Sequence, residues 1–247
     1  MSAIGENLER LEEAIEAACR GAGRRRAEVE LMAVSKTHPA EAIAEAAAAG
    51  LLLFGENRVQ EFAAKAAGLD VLRNRAQNPV RVHLIGHLQS NKAARAAELF
   101  DGVDSLDSLR LAQRLGDAAA GIGKRLPVLI EVKLSSEETK SGVDPEAHQT
   151  AELLERLPEL EHLEMRGLMT IAPLADENAT RACFRKLREL RERWAAANPR
   201  LGFDVLSMGM SGDFALAIAE GATRIRIGTA LFGTRPPLRP KSQAETA

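Results

Sequence analysis

The chain has 247 residues, 45% hydrophobic and 28% charged, enough apolar material for the core of one large domain or two small ones. Its formal net charge of −2 provides no global field to gather nucleic acid or an anionic membrane surface. The two cysteines, Cys19 and Cys183, each sit in an amphipathic helical pattern; this excludes a disulfide framework and a CxxC metal site and suits a reducing, cytoplasmic compartment.

Ile4, Leu8, Leu11, Ile15 and Ala18 recur at helical spacing, which predicts a leading helix over 3–21. The opening MSAIGENLERLEEAI is too charged for a signal peptide, and no apolar run reaches the roughly 18–20 residues of a membrane span. Arg24-Arg25-Arg26, the one dense basic run, reads as a solvated loop. Strand and helix patterns then alternate: strand 29–35, helix 39–50, strand 51–55, helix 57–68, strand 80–86, helix 89–100, strand 101–106 and helix 108–120. A fifth strand over 126–134 precedes a helix opening near Pro145, and a sixth over 162–171 precedes a long helix over 177–197 whose arginines read as its solvated face. Strand 203–209, helix 213–220 and strand 222–228 complete the pattern, and 236–247 reads as a flexible tail. Eight strands alternating with helices predict a single (β/α)8 barrel over 1–235, with the leading helix added to it.

Such a barrel works at the C-terminal ends of its strands. There the first strand delivers Lys36, the second Gly55-Glu56-Asn57, the fifth Lys133, the seventh SMGMSG (207–212) and the eighth Arg226-Ile227-Gly228-Thr229. Small residues and free backbone N–H groups after strands 7 and 8, each leading into a helix, are the makings of a phosphate site. Ordinary turns, with Ser211 as a helix cap, are the structural alternative. Ile225 and Ile227 share one face of the last strand, so Arg226 points into the barrel, where a guanidinium needs a partner. A ligand atom or an acidic residue would supply one. Arg224 lies lower and reads as structural. A lysine with a phosphate site across the barrel suggests imine chemistry on a carbonyl: a sugar phosphate, as in an aldolase, or pyridoxal phosphate (PLP).

AVSKTHP, FGENRVQE, HLIGHLQSNK, VDSLDS, ETKSGV, RGLMTIAP, LSMGMSGD and RIGTALFG follow one another over residues 31–233. Together they resemble the pyridoxal phosphate homeostasis proteins, a PLP-binding family with an alanine racemase N-terminal-like barrel. The resemblance implies PLP held on Lys36 as an aldimine, Asn57 beside the cofactor, Ser207, Ser211, Gly228 and Thr229 around its phosphate, and Arg226 at the pyridine nitrogen. It implies an intracellular carrier and buffer of PLP that passes it to apo-enzymes without turnover. Three positions depart from the family pattern: Lys133 in place of a small polar residue, Ala215 in place of Glu, and His38 in place of a second lysine. Lys140 matches a family lysine linked to PLP transfer.

The enzyme alternative is an amino-acid racemase, whose mechanism pairs the cofactor lysine with a tyrosine from a second domain. This chain has no tyrosine and no predicted second domain, so the two-base mechanism is missing from it. His83 is placed near the top of strand 3, as a hydrogen-bonded wall residue or beside the cofactor. His87, His148 and His162 show no metal-ligand spacing. The chain is expected to be a monomer, since no long apolar stripe demands a partner.

Overall fold

The computed structural model describes residues 2–134, 141–173 and 176–233. Eight parallel strands close into a barrel in sequence order: β1 Glu30–Val34, β2 Leu53–Glu56, β3 Arg81–Leu84, β4 Gly102–Leu106, β5 Leu126–Glu131, β6 Leu163–Met169, β7 Val205–Ser207 and β8 Arg224–Ile227. The predicted barrel is thus present, with shorter strands than the apolar runs suggest. The seventh keeps only three residues, because the chain turns at Gly209, where φ is +93°. The helices are α1 Ala3–Gly21, α2 Ala40–Ala48, α3 Val59–Ala63, α4 Asp70–Arg73, α5 Ala93–Leu99, α6 Leu109–Gly121, α7 His148–Arg156, α8 Glu177–Ala197, α9 Phe214–Ala219 and α10 Thr229–Phe232.

Alternation along the strands separates two apolar environments. Leu31, Ala33, Phe54, Ile225 and Ile227 face outward into the main core under the helices. Met32, Val34, Leu53 and Ile85 form a small inner cluster. The floor of the barrel is polar. Arg224 donates to Glu30 (2.9 Å) and Asp104 (3.0 Å), and Asp104 lies 2.8 Å from His83 Nδ1. Burial works against the Asp104 charge, but His83 and Arg224 overcome it and hold the carboxyl below its ordinary range. His83 therefore belongs to the floor and not to the working end; the strand stagger sets it lower than its place in the run suggests. Arg224 is structural, as its position predicts.

Ser2 caps α1, accepting from Gly5 N at 3.2 Å. The helix buries Ile4, Leu11, Ile15 and Cys19 and packs on α9 and α10, covering the barrel outside the β8–β1 seam. Two surface readings change. Arg24 donates to the carbonyls of Ile218 (3.0 Å) and Ala222 (2.7 Å), and Arg26 pairs with Glu12, so the basic run fastens α1 to the barrel. On α8, Arg181, Arg185 and Arg188 converge on Glu220, which is buried. The single helix expected over 57–68 is broken into α3 and a 3-10 turn at Ala66–Leu69, with the short α4 following beyond it. The predicted tail 236–247, Lys140 and Glu137-Glu138 lie outside the described residues.

Candidate functional site

Lys36 stands two residues beyond Val34, half-buried at the C-terminal edge of β1. Its loop is held from outside the barrel. Lys65 Nζ donates to the carbonyls of Ser35 (3.1 Å) and His38 (2.8 Å), bracketing residues 36 and 37. The same ammonium pairs with Glu56 at 2.7 Å, and Glu56 accepts from Ser35 Oγ at 2.5 Å. Glu61 accepts from Thr37 N, and Thr37 takes a left-handed φ of +68°. Burial pushes the Glu56 carboxyl up in spite of Lys65 and Ser35. This clamp explains the broken helix: Lys65, where α3 gives way, turns back to the Lys36 loop. The loop is also tied sideways, by a stack of His38 on Phe232 with ring centroids 4.9 Å apart.

Barrel closure changes the spatial relation read from the sequence. β8 pairs with β1 through Ala33 and Ile227, so the loop after β8 is a neighbour of Lys36 and does not lie across the mouth. A Cβ on Gly228 would sit 3.3 Å from the Val34 carbonyl oxygen, a measure of how closely the two strand ends approach. What lies opposite β1 in the closed order is β5.

Arg226 points inward and is 4% exposed. It donates to Ser207 O (2.7 Å), Ser207 Oγ (2.8 Å) and Thr170 O (2.8 Å), so three oxygens from β7 and the end of β6 hold the guanidinium. Burial pulls its pKa down, against Asp104, Glu131 and Asp213. The partner is therefore neither the direct ion pair nor a ligand alone; mostly backbone oxygens fix it. Ser207 is fully buried with its hydroxyl engaged by Arg226, while Ser211 is half-buried in the loop beyond. Ser211 is not the cap: Asp213 occupies the N-cap position of α9 and accepts from Met210 N at 2.5 Å. With six and four residues, α9 and α10 are too short for large dipoles, so any anion at this end would depend on N–H groups of the loops themselves.

Asn57, at the end of β2, lines a cavity of about 250 Å³ with Ile85, Gly86, Glu131, Lys133 and Ile171, among others. Gly86 is required there: a Cβ would fall 2.3 Å from the Asn57 carbonyl oxygen. A larger groove of about 780 Å³ lies against α8, where Lys186 and Arg193 alternate with Glu146 and Glu189; Lys133 lines it as well as the smaller cavity, and none of the other predicted site residues does.

Glu131, the last residue of β5, escapes sequence reading although it shares the inward parity of Lys133. It is 5% exposed, and among the described residues its Oε2 has no hydrogen-bond partner. Burial pushes its carboxyl up to about 7; Asp107 adds to the rise, and Arg226 and His87 oppose it. Among the described residues, no group of three His, Cys, Asp or Glu side chains could hold a metal ion, and no helix is long and apolar enough to cross a membrane.

A half-buried lysine just beyond β1, a buried arginine on β8 and small-residue loops after β7 and β8 mark a barrel of the alanine racemase N-terminal type. The family profile described as "Alanine racemase, N-terminal domain" matches residues 6–236. A Pseudomonas aeruginosa relative, named pyridoxal phosphate homeostasis protein, is 46% identical over 95% of this chain and 97% of its own length. The Synechococcus elongatus protein PipY, solved with PLP bound, is 43% identical over 93% of this chain and all of its own, with a TM-score of 0.80. Alanine racemase of Clostridium difficile shares the fold at 14% identity and a TM-score of 0.67, and the match covers 60% of that enzyme. The chain belongs to the pyridoxal phosphate homeostasis protein family.

Proposed function

We propose that this chain binds PLP at the barrel mouth and acts in the cytoplasm as a carrier and buffer of the cofactor, passing it to apo-enzymes without turnover of its own. The observation that carries the reading is the close approach of Gly228 to Val34, two residues before Lys36, at the β1–β8 seam that also carries the inward Arg226. The donor set fits the group. N–H groups of the loops after β7 and β8, with Ser211 and Thr229, suit a phosphate, and Ser207 fixes Arg226 beneath them. PLP brings an aldehyde that condenses reversibly with a primary amine, and Lys36 is the amine at that place. Asn57 borders the cofactor on the β2 side.

Arg226 donates only. It has no proton acceptor to offer and does not give up its own proton, so a pyridine nitrogen facing it stays neutral and withdraws electrons weakly. That favours holding the cofactor over stabilising a carbanion. The racemase alternative lacks its second base: the chain has no tyrosine, and the fold likeness stops at 60% of the racemase. The large exposed apolar side chains of the described residues, Val71, Ile122, Ile171 and Met210, do not form a run along one element, in keeping with a monomer.

PLP added to the protein is expected to give a visible absorption band that borohydride fixes on Lys36 and that Lys36→Ala lacks. Absence of a band in the wild-type protein would remove the cofactor reading. Lys36-dependent turnover of D- or L-alanine would remove the carrier reading. PLP transfer to an apo-enzyme, measured with and without a trap for free PLP, tests delivery directly.

A further inference from the structure

Glu131 faces the mouth from β5, opposite the β1 strand that carries Lys36. Leu126, Val128 and Ile130 point outward into the main core, which leaves Glu131 on the inward parity. A carboxyl that is 5% exposed, with an oxygen that finds no partner among the described residues, is costly unless a ligand completes it. Arg226 does not complete it, since its guanidinium donates to Ser207 and Thr170. Among the described residues Glu131 belongs to no group of three candidate metal ligands, so they offer no divalent-cation site there.

The missing partner has the chemistry of an ammonium group. Lys133 lines the same cavity, so a free amine gains little there from charge alone. An ammonium anchored elsewhere by a phosphate gains more, and the loops after β7 and β8 are the phosphate end of the same mouth. The cofactor's aldehyde form engages Lys36. Its aminomethyl form has no carbonyl for Lys36 and needs a counter-ion in place of that bond.

We propose that the mouth also accepts pyridoxamine phosphate, with Glu131 as the counter-ion of its aminomethyl ammonium. The proposal rests on the cofactor reading for its phosphate end and assigns the chain a second vitamer, held without a covalent bond.

The test is calorimetric titration of PLP-free protein with pyridoxamine phosphate, with unphosphorylated pyridoxamine, and with pyridoxine phosphate, whose neutral hydroxymethyl replaces the ammonium. Wild type is expected to bind pyridoxamine phosphate about tenfold or more tightly than pyridoxine phosphate, with pyridoxamine weaker than either. Glu131→Gln is expected to abolish the preference while still binding pyridoxine phosphate, which also shows that the variant is folded. Equal affinities in wild type, or a preference that survives Glu131→Gln, would overturn the proposal. The visible band with PLP, recorded on the same wild-type preparation, separates the two readings: a band without the preference sinks this proposal alone, and neither band nor phosphate-vitamer binding sinks both.

Discussion

Replacing Glu131 by Gln is expected to stabilise the PLP-free protein at alkaline pH and to leave it nearly unchanged in acid. The side chain is buried, and burial pushes its carboxyl from 4.5 to about 7. Between those values the folded chain retains a proton that the unfolded chain has released, so stability falls as pH rises through this window. The contribution is fully present below pH 4.5 and gone above about 7. At about 1.4 kcal/mol per pH unit, the gap corresponds to about 3 kcal/mol. Gln has nearly the same shape and no proton to lose. Urea unfolding at pH 8 should show Glu131→Gln more stable than wild type by about 1–3 kcal/mol, with the difference shrinking to less than about 1 kcal/mol at pH 5. A pH-independent difference, or a variant less stable than wild type at pH 8, would refute the electrostatic argument. A wild-type carboxylate that destabilises the fold is the pattern of a site residue that completes its interactions only with ligand bound.

Two further substitutions test the frame of the site. Lys65→Met should cost about 3–5 kcal/mol in urea unfolding, because it strands the buried Glu56 carboxylate and two loop carbonyls. Adding Glu56→Gln should recover much of that loss, and no recovery would mean that the ion pair is not what Lys65 provides. Gly86→Ala should cost about 1–3 kcal/mol of stability, lowering the urea midpoint without changing the m-value, since its methyl would press on the Asn57 backbone. An unchanged midpoint would show that β2 and β3 yield there without strain.

The period-2 and period-3.6 patterns were sufficient for the eight strands, the leading helix and the count that implies closure, because burial on one or both faces imposes them locally. The same parity placed Arg226 inside and Ile225 and Ile227 outside, and the motif set placed Lys36 and the loops after β7 and β8 at one end of the barrel. Which of those neighbours touch was decided only by closure. Pairing of β8 with β1 brings the Gly228 loop beside Lys36 and puts Glu131 opposite, a relation that distance along the chain does not encode. Strand stagger lowered His83 to the floor beside Asp104. Lys65 reads as one more polar helix position until the fold wraps it around the Lys36 loop and removes the water that would otherwise solvate it. Local sequence carries the periodicity that builds elements. Charge partners and desolvation depend on which elements meet, and in this protein the barrel's closure sets both.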